Sequence, residues 1–168
     1  MLMKEEKLVK ILKELLRNSR RSDRELARAV GTSQPTVTRN RRLLSQYIRS
    51  YTVVPEFSKI GYEIVALTFA KARTYSRKEV ESKLAYTKEW VMRHPNVIFA
   101  SDGEGLGKDA VMVSLHKNYS QYADFMREFS IDFADFVGDS QSFIISLKTG
   151  LMLKPLDMVY LVDDIERL

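Results

Sequence analysis

From Ser33 the chain reads SQPTVTRNRRLL, and wound as a helix this run sets Gln34, Thr36, Thr38, Arg39 and Arg42 on faces other than the one carrying Val37. Amide, hydroxyl and guanidinium groups at that spacing can bond base edges and phosphate oxygens along a DNA groove. Ser33 with the helix N-terminus, and Arg42, suit phosphates. Gln34, Thr38 and Arg39 suit base edges, with Thr36 beside them. The plainer alternative is a helical hairpin with a solvated basic face.

Little else in the chain invites chemistry. It has no cysteine and only two histidines, His94 and His116. His94 precedes Pro95, which stops a helix, and His116 closes a strand, so both read as structural. Asp102, Glu104 and Asp109 could hold a hard cation but read as solvated loop carboxylates. Gly103, Gly105 and Gly107 join two strands rather than open a helix, so they make a hairpin connection and not a phosphate cradle. No catalytic residue, metal or cofactor is expected.

A base-reading helix needs a second helix to brace it. Ser22 and Glu25 form an S-x-x-E capping box, Leu26, Ala27 and Val30 share one face, and Gly31 ends that helix. Ser33 is placed to cap the next helix, Pro35 is tolerated in its first turn, and Val37 turns back toward Ala27. The pattern is a helix-turn-helix. Upstream, Leu8, Ile11, Leu12, Leu15 and Leu16 predict a first helix from about Glu5 to Arg17. Downstream, Ile48, Tyr51, Val53 and Val54 predict a wing strand or linker, closing a winged helix-turn-helix domain over residues 1–58.

Charge follows the same division. The whole chain holds 27 Lys and Arg against 22 Asp and Glu; residues 1–50 hold 13 against 5, which leaves 14 against 17 for the remainder. A basic excess confined to one segment is the footprint of a polyanion partner. No apolar run nears the roughly 18 residues of a membrane span and no signal-peptide core is present, so a cytoplasmic protein without a membrane partner is expected.

Residues 59–168 read as an α+β domain. A strand over Glu63–Ala72, a helix from a Ser76/Glu79 capping box to about Arg93, strands at Val97–Ser101 and Ala110–Leu115, a helix bearing Tyr122, Phe125, Met126, Phe129 and Phe133, and a strand at Ser142–Lys148 give the ferredoxin-like βαββαβ order. The helix-free face of that sheet needs a cover, and a second copy of the chain is the simplest. Ile64, Ala66, Ile98, Met112 and Ile144 are expected there, a one-residue slip exchanging them for Val111 and Val113. Gly150–Leu168 has apolar Leu156, Val159, Tyr160 and Leu161 without a clear period.

With the basic helix-turn-helix in front, the run IRSYTVVPEFSKIGYEIVALTFAKA from Ile48 to Ala72 and the split sheet behind, the chain resembles the Lrp/AsnC family of feast/famine transcriptional regulators. Tyr51, Pro55, Lys59 and Gly61 match the family's linker, and Ser33, Val37, Arg39, Arg42 and Leu43 its helix-turn-helix. The resemblance implies a DNA-binding regulator that dimerises through its C-terminal sheets, often assembles further, and responds to an amino acid or other small-molecule effector. The family's glycine-x-x-aspartate signature corresponds here to a longer loop with Gly105, Gly107 and Asp109, which with Gly103 form the candidate effector-binding set. Siroheme decarboxylases share the two-domain build, and a co-regulator without its own operator is a third reading. The first of these would need a pocket rich in histidine and arginine, whereas the arginines here crowd the N-terminal segment.

Overall fold

The computed structural model describes residues 2–73 and 77–166; the predicted cap at Ser76 lies outside them. The chain forms two compact units, one of Met1–Val54 with Lys154–Leu168 and the other of Pro55–Leu153.

Three helices build the first unit: α1 (Leu2–Arg17), α2 (Asp23–Val30) and α3 (Gln34–Leu44). Their apolar stripes meet in a core in which Ile11, Leu26, Val37 and Leu44 are fully buried, with Leu8, Leu15 and Ala27 around them. Small Ala27 opposite Val37 allows α2 and α3 to approach. Truncating a side chain such as Leu26 there costs on the order of 2–5 kcal/mol. The expected wing strand is not formed. Residues 48–56 adopt no regular structure, and Tyr51, Val53 and Val54 are exposed, because no strand is present in this unit, among the described residues, to pair with them.

The C-terminal segment also departs from expectation. Rather than continuing the second domain to residue 168, the chain returns to the first unit, where a 3-10 turn at Met158–Val162 packs on α1 and buries Val162. Asp157 opens that turn by accepting a bond from the Val159 amide at 2.9 Å. One turn is too short to show a period in sequence.

The second unit is a four-stranded antiparallel sheet in the order β2-β3-β1-β4, from β1 (Ile64–Ala72), β2 (Val97–Gly105), β3 (Lys108–His116) and β4 (Val137–Ser146). With α4 (Arg77–Arg93) and α5 (Tyr119–Asp132) the order is βαββαβ, as expected. Three strands are longer than predicted, β4 starting at Val137 rather than Ser142. Both helices bury aromatic side chains on one sheet face, where Trp90, Phe125, Phe129 and Phe133 pack on Met112.

That packing corrects the predicted phase of the strands. Ile64, Ala66, Met112 and Ile144 lie in helix-side register, and Ile98 sits at an irregularity between Val97 and Phe99. The helix-free face instead carries Leu67, Phe69, Val111, Val113, Phe143 and Ile145. Polar side chains on the helix side disguise the phase. Thr68 and Ser142 are cross-strand partners whose hydroxyls bond each other at 2.8 Å, and Ser114 bonds His116 Nε2 at 2.9 Å, so these polar groups find partners within the buried layer.

His116 is fully buried against Tyr122 and Phe125, its Nδ1 has no partner, and burial holds its imidazole below the ordinary histidine pKa. The folded state therefore favours the neutral ring, while the unfolded chain takes a proton near the ordinary value of about 6.5. Stability is full above that pH and falls as pH drops from there toward the lowered folded value. Urea midpoints of the full chain between neutral pH and pH 5 should decline, and His116→Leu should flatten the decline; equal slopes in both proteins would rule out this role.

Candidate nucleic-acid interface

Helix α2 begins as predicted: the Glu25 amide donates to Ser22 Oγ at 3.3 Å and the Ser22 amide to Glu25 Oε2 at 2.7 Å. It ends at Gly31 in left-handed geometry with φ 69°, and the Thr32 amide bonds Ala27 O at 2.9 Å. That conformation carries the chain directly into α3.

Ser33 is the N-cap residue of α3, but its hydroxyl makes no capping bond and pairs instead with Thr36 Oγ1 at 2.8 Å. The first helical bond is Val37 N to Ser33 O at 3.1 Å, so the Gln34 and Thr36 amides point out of the helix end, while Pro35 has no amide hydrogen. Such an end attracts phosphate.

Val37, Asn40 and Leu44 face the core, which leaves Gln34, Thr38, Arg39 and Arg42 exposed along the opposite side of α3. The structure brings all six predicted residues onto one helix and its cap. They are not equally available, however. Thr38 Oγ1 donates to Asp23 Oδ2 at 2.5 Å and lies 3.2 Å from Gln34 O. Arg41 donates from Nη1 to Asp23 Oδ1 at 2.9 Å and from Nη2 to Arg21 O at 3.1 Å. Asp23 thus holds two side chains of α3 with one carboxylate from the first turn of α2, where its charge also favours the helix dipole.

Sequence reasoning missed both Asp23 and Arg41. The available signal was a carboxylate immediately after an N-cap in a segment otherwise dominated by Lys and Arg. Glu14 similarly holds Arg17 and Arg21. By contrast Arg20, Arg24, Arg28, Arg39, Arg42 and Arg49 are exposed and form no ion pair among the described residues. The basic excess of this unit is therefore sorted into arginines that hold the fold and arginines that face solvent.

The other predicted set belongs to the second unit. Gly103 lies within β2, Gly105 ends it, and Leu106 and Gly107 form a two-residue hairpin turn with φ of 54° and 68°. Two positive φ values are the signature of a type I′ turn, so the expected hairpin connection is present and is tighter than the longer loop of the family resemblance. Asp109 accepts from Lys71 Nζ at 2.7 Å and from the Ala72 amide at 2.9 Å, and these bonds hold its carboxyl below the ordinary aspartate pKa. The two histidines are structural in geometry: His94 Nδ1 lies 2.7 Å from Trp90 O and its Nε2 3.1 Å from Glu128, while His116 is buried. No helix among the described residues is long and apolar enough to cross a membrane, and no group of three or more potential metal ligands occurs among them.

A capped helix pair that presents an arginine-bearing second helix, carried in one chain with a ferredoxin-like sheet, defines a helix-turn-helix DNA-binding protein. Residues 9–44 match the AsnC-type helix-turn-helix domain. The chain is 27% identical over 122 residues to the leucine-responsive regulatory protein of Rhizobium meliloti, covering 71% of this chain and 75% of the relative. Its fold is similar to that of a transcriptional regulator from Neisseria meningitidis solved with L-Met, at TM-score 0.74, 18% identity and coverage of 90% and 92%. It is similar also to AsnC of E. coli, at TM-score 0.70, 17% identity and coverage of 90% and 97%. The matched segment is thus similar to AsnC-type helix-turn-helix domains, and the chain shares its fold with transcriptional regulators.

Replacing Asp23 with Ala removes the partner of both Thr38 and Arg41. The substitution should destabilise the protein by about 1–2 kcal/mol, as expected for part-buried charge-assisted bonds. It also adds net positive charge, so binding to random duplex should strengthen while preference for a selected duplex shrinks. Competition titrations at fixed salt measure both; an unchanged preference would show that Asp23 does not set the pose of α3.

Proposed function

We propose that the chain binds operator DNA as a homodimer, with α3 in the major groove and the helix-free sheet faces joined. The observation that carries the DNA half of this reading is that Arg39 and Arg42 are exposed and uncommitted on a helix whose third arginine, Arg41, is held internally. Ser33 and the amides at the start of α3 hold one phosphate and Arg42 another. Gln34 and Arg39 reach base edges, Thr36 supports Ser33, and Thr38 contributes chiefly by positioning, since its hydroxyl already donates to Asp23.

Dimerisation is supported by the apolar character of the uncovered sheet face, on which Phe143 is 65% exposed. Two copies related by a two-fold axis would present two α3 helices to half-sites about one helical turn apart. The neighbour solved with L-Met supports a small-molecule effector for this chain as well, read at the hairpin of Gly103, Gly105 and Gly107. There the contribution of Asp109 is to tie β3 to the end of β1 through Lys71 and Ala72. The relatives are named as regulators, and the same reading assigns this chain no catalytic step.

Arg39→Ala should weaken binding to the preferred duplex by roughly 1–3 kcal/mol and blur its sequence, whereas Arg42→Ala should weaken all duplexes alike and lower the salt slope by about one. Selection from randomised duplexes with each variant separates the roles; equal loss of specificity in both would refute the division.

Phe143→Lys tests the dimer. The site is exposed in the protomer, so the variant should fold, sediment as a monomer and lose specific binding without touching a DNA contact. Met112→Lys is unsuitable for this purpose, because Met112 is buried beneath the helices and a charge there would unfold the unit. Wild-type protein sedimenting as a monomer at micromolar concentration would overturn the symmetric model.

A further inference from the structure

We infer that the second unit binds a compact aromatic or fused-ring apolar molecule in a cavity between α4 and the sheet. The cavity, open to solvent at its mouth, holds about 710 Å³, within the range of small-molecule sites. Its walls are aromatic: Trp90, Phe129, Phe133 and Phe136 line it from the helix side. Its floor is made of short side chains, with Ala70, Ala72, Ala100 and Ala110 contributed by three strands. Large rings facing a floor of methyl groups leave room for a flat ring system.

The polar groups within reach of the cavity mostly have partners already. The Trp90 indole donates to Asp132 at 2.7 Å, the Thr68 hydroxyl pairs with Ser142 at 2.8 Å, and the Thr87 hydroxyl donates to Lys83 O at 2.8 Å. Asp109 is held by Lys71 and the Ala72 amide. Water in such a space would find few partners, and apolar cavities of this kind take up aromatic solutes instead. Exposed Lys88 and Asp102 mark the mouth on the helix wall and the strand wall, so polar substituents of a ligand would lie outward between them. The site lies within the second unit and requires no operator, and Asp102 and Asp109 of its lining flank the Gly103–Gly107 hairpin.

Trp90 is the only tryptophan of the chain and lies in the wall, so it reports on the cavity directly. The probe is N-phenyl-1-naphthylamine, a neutral fused-ring amine, titrated into the full-length protein with excitation of Trp90. Saturable one-to-one energy transfer is expected. Ala110→Phe and, independently, Ala100→Leu fill the floor and should each weaken the probe by roughly tenfold, with circular dichroism and melting showing that the variant is folded. Phe143→Lys alters the helix-free face and should leave the affinity unchanged. The inference is overturned if transfer does not saturate, if folded filled variants bind as tightly as the parent, or if Phe143→Lys alone abolishes binding, which would place the probe on the open sheet face.

Discussion

A helix that reads DNA must hold one orientation against its brace, and here apolar packing and one carboxylate share that task. Val37 and Leu44 seat α3 in the core of the first unit, which sets its depth and crossing. Apolar contacts are non-directional, however, and resist rotation of a helix about its axis only weakly. Asp23 supplies direction, because its two oxygens take Thr38 and Arg41, one helical turn apart on one flank of α3. With that flank tied to α2, Arg39 and Arg42 are turned outward. The same carboxylate withdraws Arg41 from the solvent-facing charge, which is narrower than composition suggests.

The second unit follows a different logic, in which alternation along strands fixes the faces and the helices decide which face is closed. Trp90 ties α4 to α5 through Asp132, and the cluster of Phe125, Phe129 and Phe133 presses on Met112. The buried layer is not purely apolar. Thr68, Ser114 and His116 sit under the helices, where Thr68 pairs with Ser142 and Ser114 with His116 Nε2, leaving the branched and aromatic side chains of alternate positions on the open face. A sheet so built has an unburied apolar surface in the protomer, which is the physical pressure toward association.

Much of this was legible from residue types. The capping box at Ser22 and Glu25, the left-handed glycine at position 31 and the leucine stripe of α1 each act through local spacing, which the sequence displays directly. The order of strands and helices was legible for the same reason. What escaped was set by partners distant in sequence. Asp23 reaches Thr38 and Arg41 across 15 and 18 residues, and no local pattern shows that pairing. The phase of the strands escaped because satisfied polar pairs mimic a solvent face. The return of Met158–Val162 to α1 spans almost the whole chain, and the absence of a wing strand at Tyr51–Val54 reflects a missing partner rather than an unsuitable composition.

The central claim is that two α3 helices, held by one symmetric pair of chains, read DNA in the major groove. Selection of bound duplexes from a fully randomised pool by the intact protein, followed by hydroxyl-radical protection on an enriched duplex, tests it directly. The account predicts two related half-sites in inverted orientation with protected stretches centred about 34 Å apart on one face of the helix. An enriched duplex with a single unrepeated site, or no enrichment over the starting pool, would contradict it.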